Sequence, residues 1–361
     1  MTNLRYGMNP HQQARVLAGG PLRVLAGTPS YINLLDALNA WQLVRTASAA
    51  SGTVVAASFK HVSPAGVATA GPLDDVMRET WRVTEPGPIT GAYVRARDAD
   101  PKSSFGDVVA VSAPVDAELA DLLSRVISDA VIAPGFEPGT LEVLARKKAG
   151  SFLVLEADPA CEPPEWERRD IHGVVVEQRR DRASFPPGLP GDALLGLATV
   201  RYTQSNSVAV VGGGMTFGIG AGQQNRVDCV RLAVGKARTW WLRRHPVVRG
   251  LPRVDGMPRQ DRLNWQIRLA EGSLTSAQEA EFTALFPGVS PVLPDPGPWE
   301  SRATLASDGF LPFRDNIEHA ATIGISHVVE PGGSTRSADV AAACAQHGMR
   351  LTHTGLRLFH H

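Results

Sequence analysis

The chain has 361 residues, enough for two domains and a large core, and its 36 Lys+Arg balance 36 Asp+Glu for a formal net charge of zero. That balance argues against a nucleic-acid partner held by a global basic field, and no apolar run approaches the ~20 residues that span a bilayer. Three cysteines, Cys161, Cys229 and Cys344, form no C-x-x-C pair; a disulfide framework or zinc knuckle is not expected, and a reducing cytoplasm fits best.

The start, "LRYGMNPHQ" (Leu4–Gln12), gathers Arg5, Tyr6, Asn9 and His11 in one short stretch. Arg can clamp a phosphate, with Tyr and His orienting it; the plain alternative is a disordered terminus. Next, "YINLLDALNAWQLV" places Leu34, Leu38, Trp41 and Val44 at helical spacing. Asn33 stands where an N-cap would, with Asp36 three residues on, as in a capping box. "TVVAAS" (Thr53–Ser58) then reads as a buried strand ending at Phe59, before the adjacent Lys60 and His61, with Pro64 and Gly66 closing the turn.

Further short strands are expected at Asp107–Val115 and Asp129–Gly135, with a helix at Asp116–Val126 between them. Strand, helix, strand in succession argues an α/β fold with a largely parallel sheet. The stretch from Asp158 to Asp192 is rich in Pro and charge and reads as a connection between domains. Beyond it, helix and strand alternate again, with a helix starting near Asn225 and another near Ser337–His347. No short-period repeat is visible.

Three further places carry chemistry. Ligands of α/β sheets gather beyond the carboxyl ends of strands, where Lys60 and His61 fall. His can take a proton, and a neighbouring ammonium repels a protonated imidazole and can stabilise an oxyanion. Taken alone, the pair is better read as two polar residues where a strand meets solvent. "RYTQSNSV" (Arg201–Val208) and "GIGAGQQNR" (Gly218–Arg226) form a second centre, with Arg226 near a helix N-terminus. "GIGAG" is not a G-x-G-x-x-G fingerprint. "FLPFRDN", "PGGSTRS" and "LRLFHH" are the last; the Gly-Gly-Ser-Thr loop suits an anionic ligand or is simply an N-cap. "HVVE" (His327–Glu330) has no following P-C-x-x-C, so zinc chemistry of the deaminase kind is not supported.

In chain order, "LRYGMNPHQ", "YINLLDALNAWQL", "SFKHVSPAG", "SSFGD", "SDAVIAPG", "RYTQSNSV", "GIGAGQQNR", "WWLRRHP", "PFRDN" and "LRLFHH" resemble the formyltransferase portion of the bifunctional AICAR transformylase/IMP cyclohydrolase family. The resemblance runs from residue 4 to the last residue. Only three residues precede Leu4, so it implies formyl transfer without ring closure to IMP. It also implies two cytidine-deaminase-like α/β domains, residues 1–165 and 193–361 joined by 166–192, with mixed sheets flanked by helices and no zinc. A cytoplasmic homodimer is implied, with active sites at the interface and Arg226 reaching the neighbour's site.

The implied substrates are AICAR and 10-formyltetrahydrofolate, with no nucleic-acid or membrane partner. His61 would be the base, Lys60 the transition-state stabiliser and Asn206 the orienter of the formyl oxygen. Arg5, Tyr6, Asn33, Gly106, Asp129, Lys148, Arg226, Phe310 and Arg357 match AICAR positions; Val227, Asp315, Ser334 and Thr335 match folate positions. A structural K⁺ is implied near Val200, Thr203, Ser205, Asp308, Leu358 and His360. The alternatives are a related folate-dependent formyltransferase acting on another amine in a specialised pathway, and a non-enzymatic nucleotide or folate binder. The complete Lys60–His61–Asn206 set argues against the binder.

Overall fold

A computed structural model describes residues 2–17, 20 and 22–361. At the start, β1 (Thr2–Asn3) pairs with β2 (Arg15–Val16). The turn between them is ordered: Leu4 N–H donates to Ala14 O at 2.9 Å and Gly7 N–H to Gln12 O at 2.7 Å. Arg5 N–H donates to Pro29 O and Tyr31 N–H to Tyr6 O, both at 2.9 Å, so this segment docks on the first helix instead of fraying.

The next stretch runs β3 (Leu22–Ala26), α1 (Tyr31–Ser51), β4 (Val55–Lys60), β5 (Ser63–Thr69), α2 (Asp75–Trp81), α3 (Pro88–Ala99), β6 (Asp107–Val111), α4 (Ala117–Arg125), β7 (Ser128–Ala133), α5 (Thr140–Ala145) and β8 (Leu153–Ala157). After it come β9 (Trp166–Ile171), β10 (Val174–Arg179), α6 (Gly191–Arg201), β11 (Val208–Gly212), β12 (Met215–Gly220) and α7 (Arg226–Leu242). Three helices follow, α8 (Pro246–Arg249), α9 (Arg259–Glu271) and α10 (Ser276–Leu285). The chain closes with β13 (Thr304–Ser307), α11 (Asp315–Ala321), β14 (His327–Glu330), α12 (Ser337–Gln346) and β15 (Arg350–His353).

One 11-stranded sheet carries the fold, in the order β15-β14-β13-β11-β12-β5-β4-β6-β7-β8-β3. It is mixed: β6, β7 and β8 run parallel, as do β13, β14 and β15, while the β4–β5 and β11–β12 hairpins are antiparallel. The same unit appears twice: a helix, a hairpin, a helix, then three parallel strands joined by helices. The two copies meet where β5 pairs with β12 at Ala68↔Met215. Helices α1 and α6 pack on one face, with Ala57, Phe59, Val108 and Val211; α3, α4, α7, α11 and α12 cover the other, with Val109, Val131, Val210 and Leu305. Central strands buried on both faces read as unbroken apolar runs, which is why "VVAAS" and "VVAV" show no alternation.

Several sequence expectations are corrected. The N-cap of α1 is Ser30; its hydroxyl accepts from Asn33 N–H at 3.3 Å, and Asn33 Oδ1 accepts from Ser30 N–H at 3.1 Å. Asn33 therefore occupies N3, and Asp36 is a buried residue of the second turn. The buried face of α1 is Ala37, Ala40, Trp41, Leu43, Val44 and Ala47, leaving Leu38 36% exposed. Pro64 and Gly66 do not close the turn; they belong to β5. Ser58 faces Gly66 and Phe59 faces Pro64, so Ala65 is the extra residue of a bulge, where a proline's missing N–H is tolerated. Gly66 lets α3 approach, because a Cβ there would stand 2.0 Å from Ala96 O. The expected connection contains a hairpin, β9–β10, nearly all of it exposed. Helix α12 starts at Ser337 with Arg336 as cap and no capping side chain, so the Gly-Gly-Ser-Thr loop is not a side-chain N-cap.

Candidate active site

Strand β4 ends on Lys60, which pairs with Ser63 of β5, leaving His61 and Val62 as a two-residue hairpin turn. Both sit in left-handed backbone, φ 54° and 59°. That is the φ signature of a type I′ turn, normally made by Asn and Gly. Val62 N–H donates to Asp36 Oδ1 at 2.6 Å. Burial pushes the Asp36 carboxyl up, while the Val62 N–H and the His61 charge pull it back down.

Lys60 leans away from the turn. Its Nζ donates to Phe105 O at 2.5 Å. A Cβ on Gly106 (φ +76°) would lie 3.7 Å from Asp129 Oδ2 and 3.8 Å from Lys60 Nζ, so glycine leaves an open spot between a cation and an anion. Lys148 pairs with Asp129 from a kinked turn after α5, where its own φ is 51°. Four predicted positions, Lys60, Gly106, Asp129 and Lys148, thus meet in one place. Under them lies a buried network. Asp107, fully buried, accepts from Arg97 at 2.6 Å, Ser58 Oγ at 2.7 Å and Tyr93 OH at 3.2 Å. Arg97 also donates to Ile127 O, and Gly106 N–H donates to the same carbonyl at 3.0 Å.

A cavity of about 290 Å³ opens on Lys60 and Phe105, and its far wall is α9, through Gln260, Asn264 and Arg268. Sequence reasoning missed this wall: nothing local to α9 marks it, and it reaches Lys60 through tertiary packing, including a Lys102–Glu271 ion pair at 2.9 Å. Lys147, also unforeseen, stands over the Phe152 ring at 4.2 Å, and burial brings it down to about 7.

The second centre forms around Asn206, after a cis Ser205–Asn206 peptide bond. Asn206 Oδ1 accepts from Arg226 at 2.7 Å and its Nδ2 donates to Gln223 O at 2.8 Å. Asn225 caps α7, and Arg226, its first residue, is buried against Asp308, Ser207 O and Ser307. A cavity of about 410 Å³ is lined by Asn206, Arg226, Val227 and Phe310, together with Phe313 and Phe359, which the sequence reading did not single out. Phe310, Phe313 and Phe359 are 45–48% exposed, a signal invisible before folding. Arg357 lies over the Phe359 ring at 5.0 Å.

Among the described residues the lining does not include Asp315, Ser334 or Thr335: Asp315 accepts from Asn316 at 3.1 Å, and Ser334 Oγ from Arg336 N–H at 3.2 Å. Arg5 and Tyr6 are paired at 3.1 Å beside the start of α1, Arg5 exposed and Tyr6 half-buried. Gln204 N–H donates to Ser63 Oγ at 3.4 Å, which joins the Asn206 loop to the hairpin carrying His61.

Around Asp308 several segments are hydrogen-bonded to one another. Asp308 accepts from Ser205 Oγ and Ser207 N–H; its own carbonyl accepts from Leu358 N–H; Ser205 N–H donates to His360 O; Thr203 N–H donates to Val200 O.

The profile of the AICARFT/IMPCHase bienzyme family matches residues 1–236. The chain belongs to the AICARFT/IMPCHase bienzyme family. A bifunctional purine biosynthesis protein PurH of Synechococcus elongatus is 32% identical over 387 residues, and one of Magnetococcus marinus is 29% identical over 386. Each alignment covers 99% of this chain and 59% of the relative, so the chain spans about three fifths of the length of these bienzyme relatives. Among the described residues no helix is long and apolar enough to cross a membrane.

Proposed function

We propose that these residues form a formyltransferase that moves the formyl group of 10-formyltetrahydrofolate to the 5-amino group of AICAR. The observation that supports it best is the hairpin turn that sets His61 beside Lys60, next to the Gly106–Asp129–Lys148 cluster and tied to the Asn206 loop. The amine is a weak nucleophile, because its lone pair is delocalised into the imidazole carboxamide. As its nitrogen bonds to the formyl carbon, His61 takes its proton. Lys60 and Asn206 stabilise the oxyanion. The bond to the folate nitrogen then breaks, and that nitrogen takes a proton as tetrahydrofolate leaves.

On this reading Arg5, Tyr6, Asn33, Gly106, Asp129, Lys148, Arg226, Phe310 and Arg357 hold AICAR, and Val227, Asp315, Ser334 and Thr335 hold the folate. The two topological copies are read as cytidine-deaminase-like domains without zinc, divided at 1–165, 166–192 and 193–361, in a cytoplasmic homodimer. The exposed β9–β10 hairpin supports assembly, since an isolated two-stranded hairpin is marginal in water. Arg226 would then reach the neighbour's site. The carbonyl, hydroxyl and carboxylate oxygens around Asp308 suit K⁺ in type, and Val200, Thr203, Ser205, Asp308, Leu358 and His360 would hold it as a structural ion.

The test is the purified chain with AICAR and 10-formyltetrahydrofolate, following tetrahydrofolate release and the nucleotide product. Formyl-AICAR is expected, without IMP, and His61→Ala should lower the rate by about 10²–10⁴-fold. No turnover with AICAR would sink the reading, and an undiminished rate in His61→Ala would sink the mechanism.

A further inference from the structure

We propose that Asp36 is a positioning residue: its carboxylate grips the backbone of the His61–Val62 turn and so fixes where the imidazole stands. The inference rests on the reading of His61 as the base. A β-branched residue at φ 59° is a genuine outlier, and such backbone persists only where its surroundings over-determine it. The surroundings here are specific. Asp36 Oδ1 accepts from Val62 N–H at 2.6 Å. On the other side of the turn, Ser63 Oγ accepts from Gln204 N–H.

Asp36 is only 6% exposed, on a helix face otherwise apolar, with Ala37, Ala40 and Leu43 among its residues. A buried carboxylate is costly there unless it is hydrogen-bonded, and the partner nearest at hand is the turn. Through α1, the same helix whose first turn holds Tyr31 against Tyr6, the grip ties the N-terminal segment to the base.

The test uses the full chain carrying Asp36→Ala and Asp36→Asn. Steady-state kinetics are measured alongside hydrogen exchange of the peptide spanning residues 57–66. A misplacement of about 1 Å can cost a reacting group up to ~100-fold. Asp36→Ala is therefore expected to lower kcat by about 10- to 100-fold, with the AICAR KM within about threefold. Exchange should rise in the turn peptide and not in β6. Asp36→Asn keeps one oxygen able to accept from Val62 N–H, and should regain at least about threefold of the lost kcat.

A kcat within twofold of the parent's, a change in KM alone, or equal losses in both variants would overturn the proposal. If the parent itself shows no turnover, the functional reading fails; the exchange data still decide whether Asp36 holds the turn, with unchanged exchange overturning that. Should Asp36→Ala fold poorly, Val62→Gly is combined with it to relax the turn. A kcat still at least about tenfold below that of Val62→Gly alone supports the grip, and equality refutes it.

Discussion

Replacing Asp107 by alanine is expected to destabilise the fold more than any other single truncation at the site. Asp107 is fully buried and Arg97 is 2% exposed, paired at 2.6 Å. Removing the carboxylate leaves the guanidinium buried with an Ile127 carbonyl and the Tyr93 hydroxyl as its partners, and strips an acceptor from Ser58 and Tyr93. Breaking a buried pair from one side costs about 3–5 kcal/mol. Both hydroxyls keep a partner, Ser58 with Ser104 and Tyr93 with Arg97, and belong to the same network, so their losses do not simply add. At an unfolding entropy of roughly 2.1 cal/mol/K per residue, 4 kcal/mol corresponds to about 5 °C for a chain of this length. Asp107→Asn, which keeps the shape and one acceptor, should lose less. The assay is urea and thermal unfolding of the three proteins followed by circular dichroism. Because Asp107 follows Gly106 and Phe105, whose carbonyl receives Lys60, the activity proposed for the site should fall in Asp107→Asn below its melting range. A loss under about 1 kcal/mol for Asp107→Ala would refute the argument that the pair is an uncompensated charge once broken.

Val62→Gly should cost nothing or stabilise by up to about 1 kcal/mol, because it removes a left-handed β-branched residue. Val67→Gly in the buried middle of β5 should instead lose at least ~3 kcal/mol; urea midpoints separate the two, and equal losses would show that the turn is unstrained. Lys147, held near 7 by burial, binds fewer protons folded than unfolded between about 7 and the ordinary lysine value of ~10.4. Stability attributable to it therefore rises with pH across that window and is lowest below it. Lys147→Met is expected to stabilise at pH 6 and to lose that advantage by pH 10, measured as urea midpoints; a pH-independent difference would contradict it.

The placement of Lys60 and His61 at a strand end was legible in the sequence because it is local. "FKHVSPAG" and "YTQSNS" are contiguous, and a strand end followed by Lys-His needs no tertiary information. The helix boundaries near Asp116 and Asn225 were legible for the same reason, since a cap acts within three residues. The turn itself was misread: Pro64 and Gly66 carry breaker signals, yet a bulge at Ala65 and the close approach of α3 put both inside β5. Asp36 looked like half of a capping box because its use, a backbone N–H 26 residues away, leaves no local trace. The wall of α9 and the aromatic surface of Phe313 and Phe359 were hidden alike, since each becomes part of a site only when a distant element packs against it.

The meeting of β5 and β12 has a consequence for how the chain can be divided. An unpaired strand edge is a template for association with other chains, and here each copy of the repeated unit offers its inner edge to the other. The outer edges of the sheet are the short strands β3 and β15, of five and four residues. Cutting the chain at the exposed hairpin would sever no strand of the main sheet, yet would bare the inner edge of each half. The halves should therefore be sticky apart and complementary together, so that split and co-expressed fragments reassemble through the β5–β12 pairing.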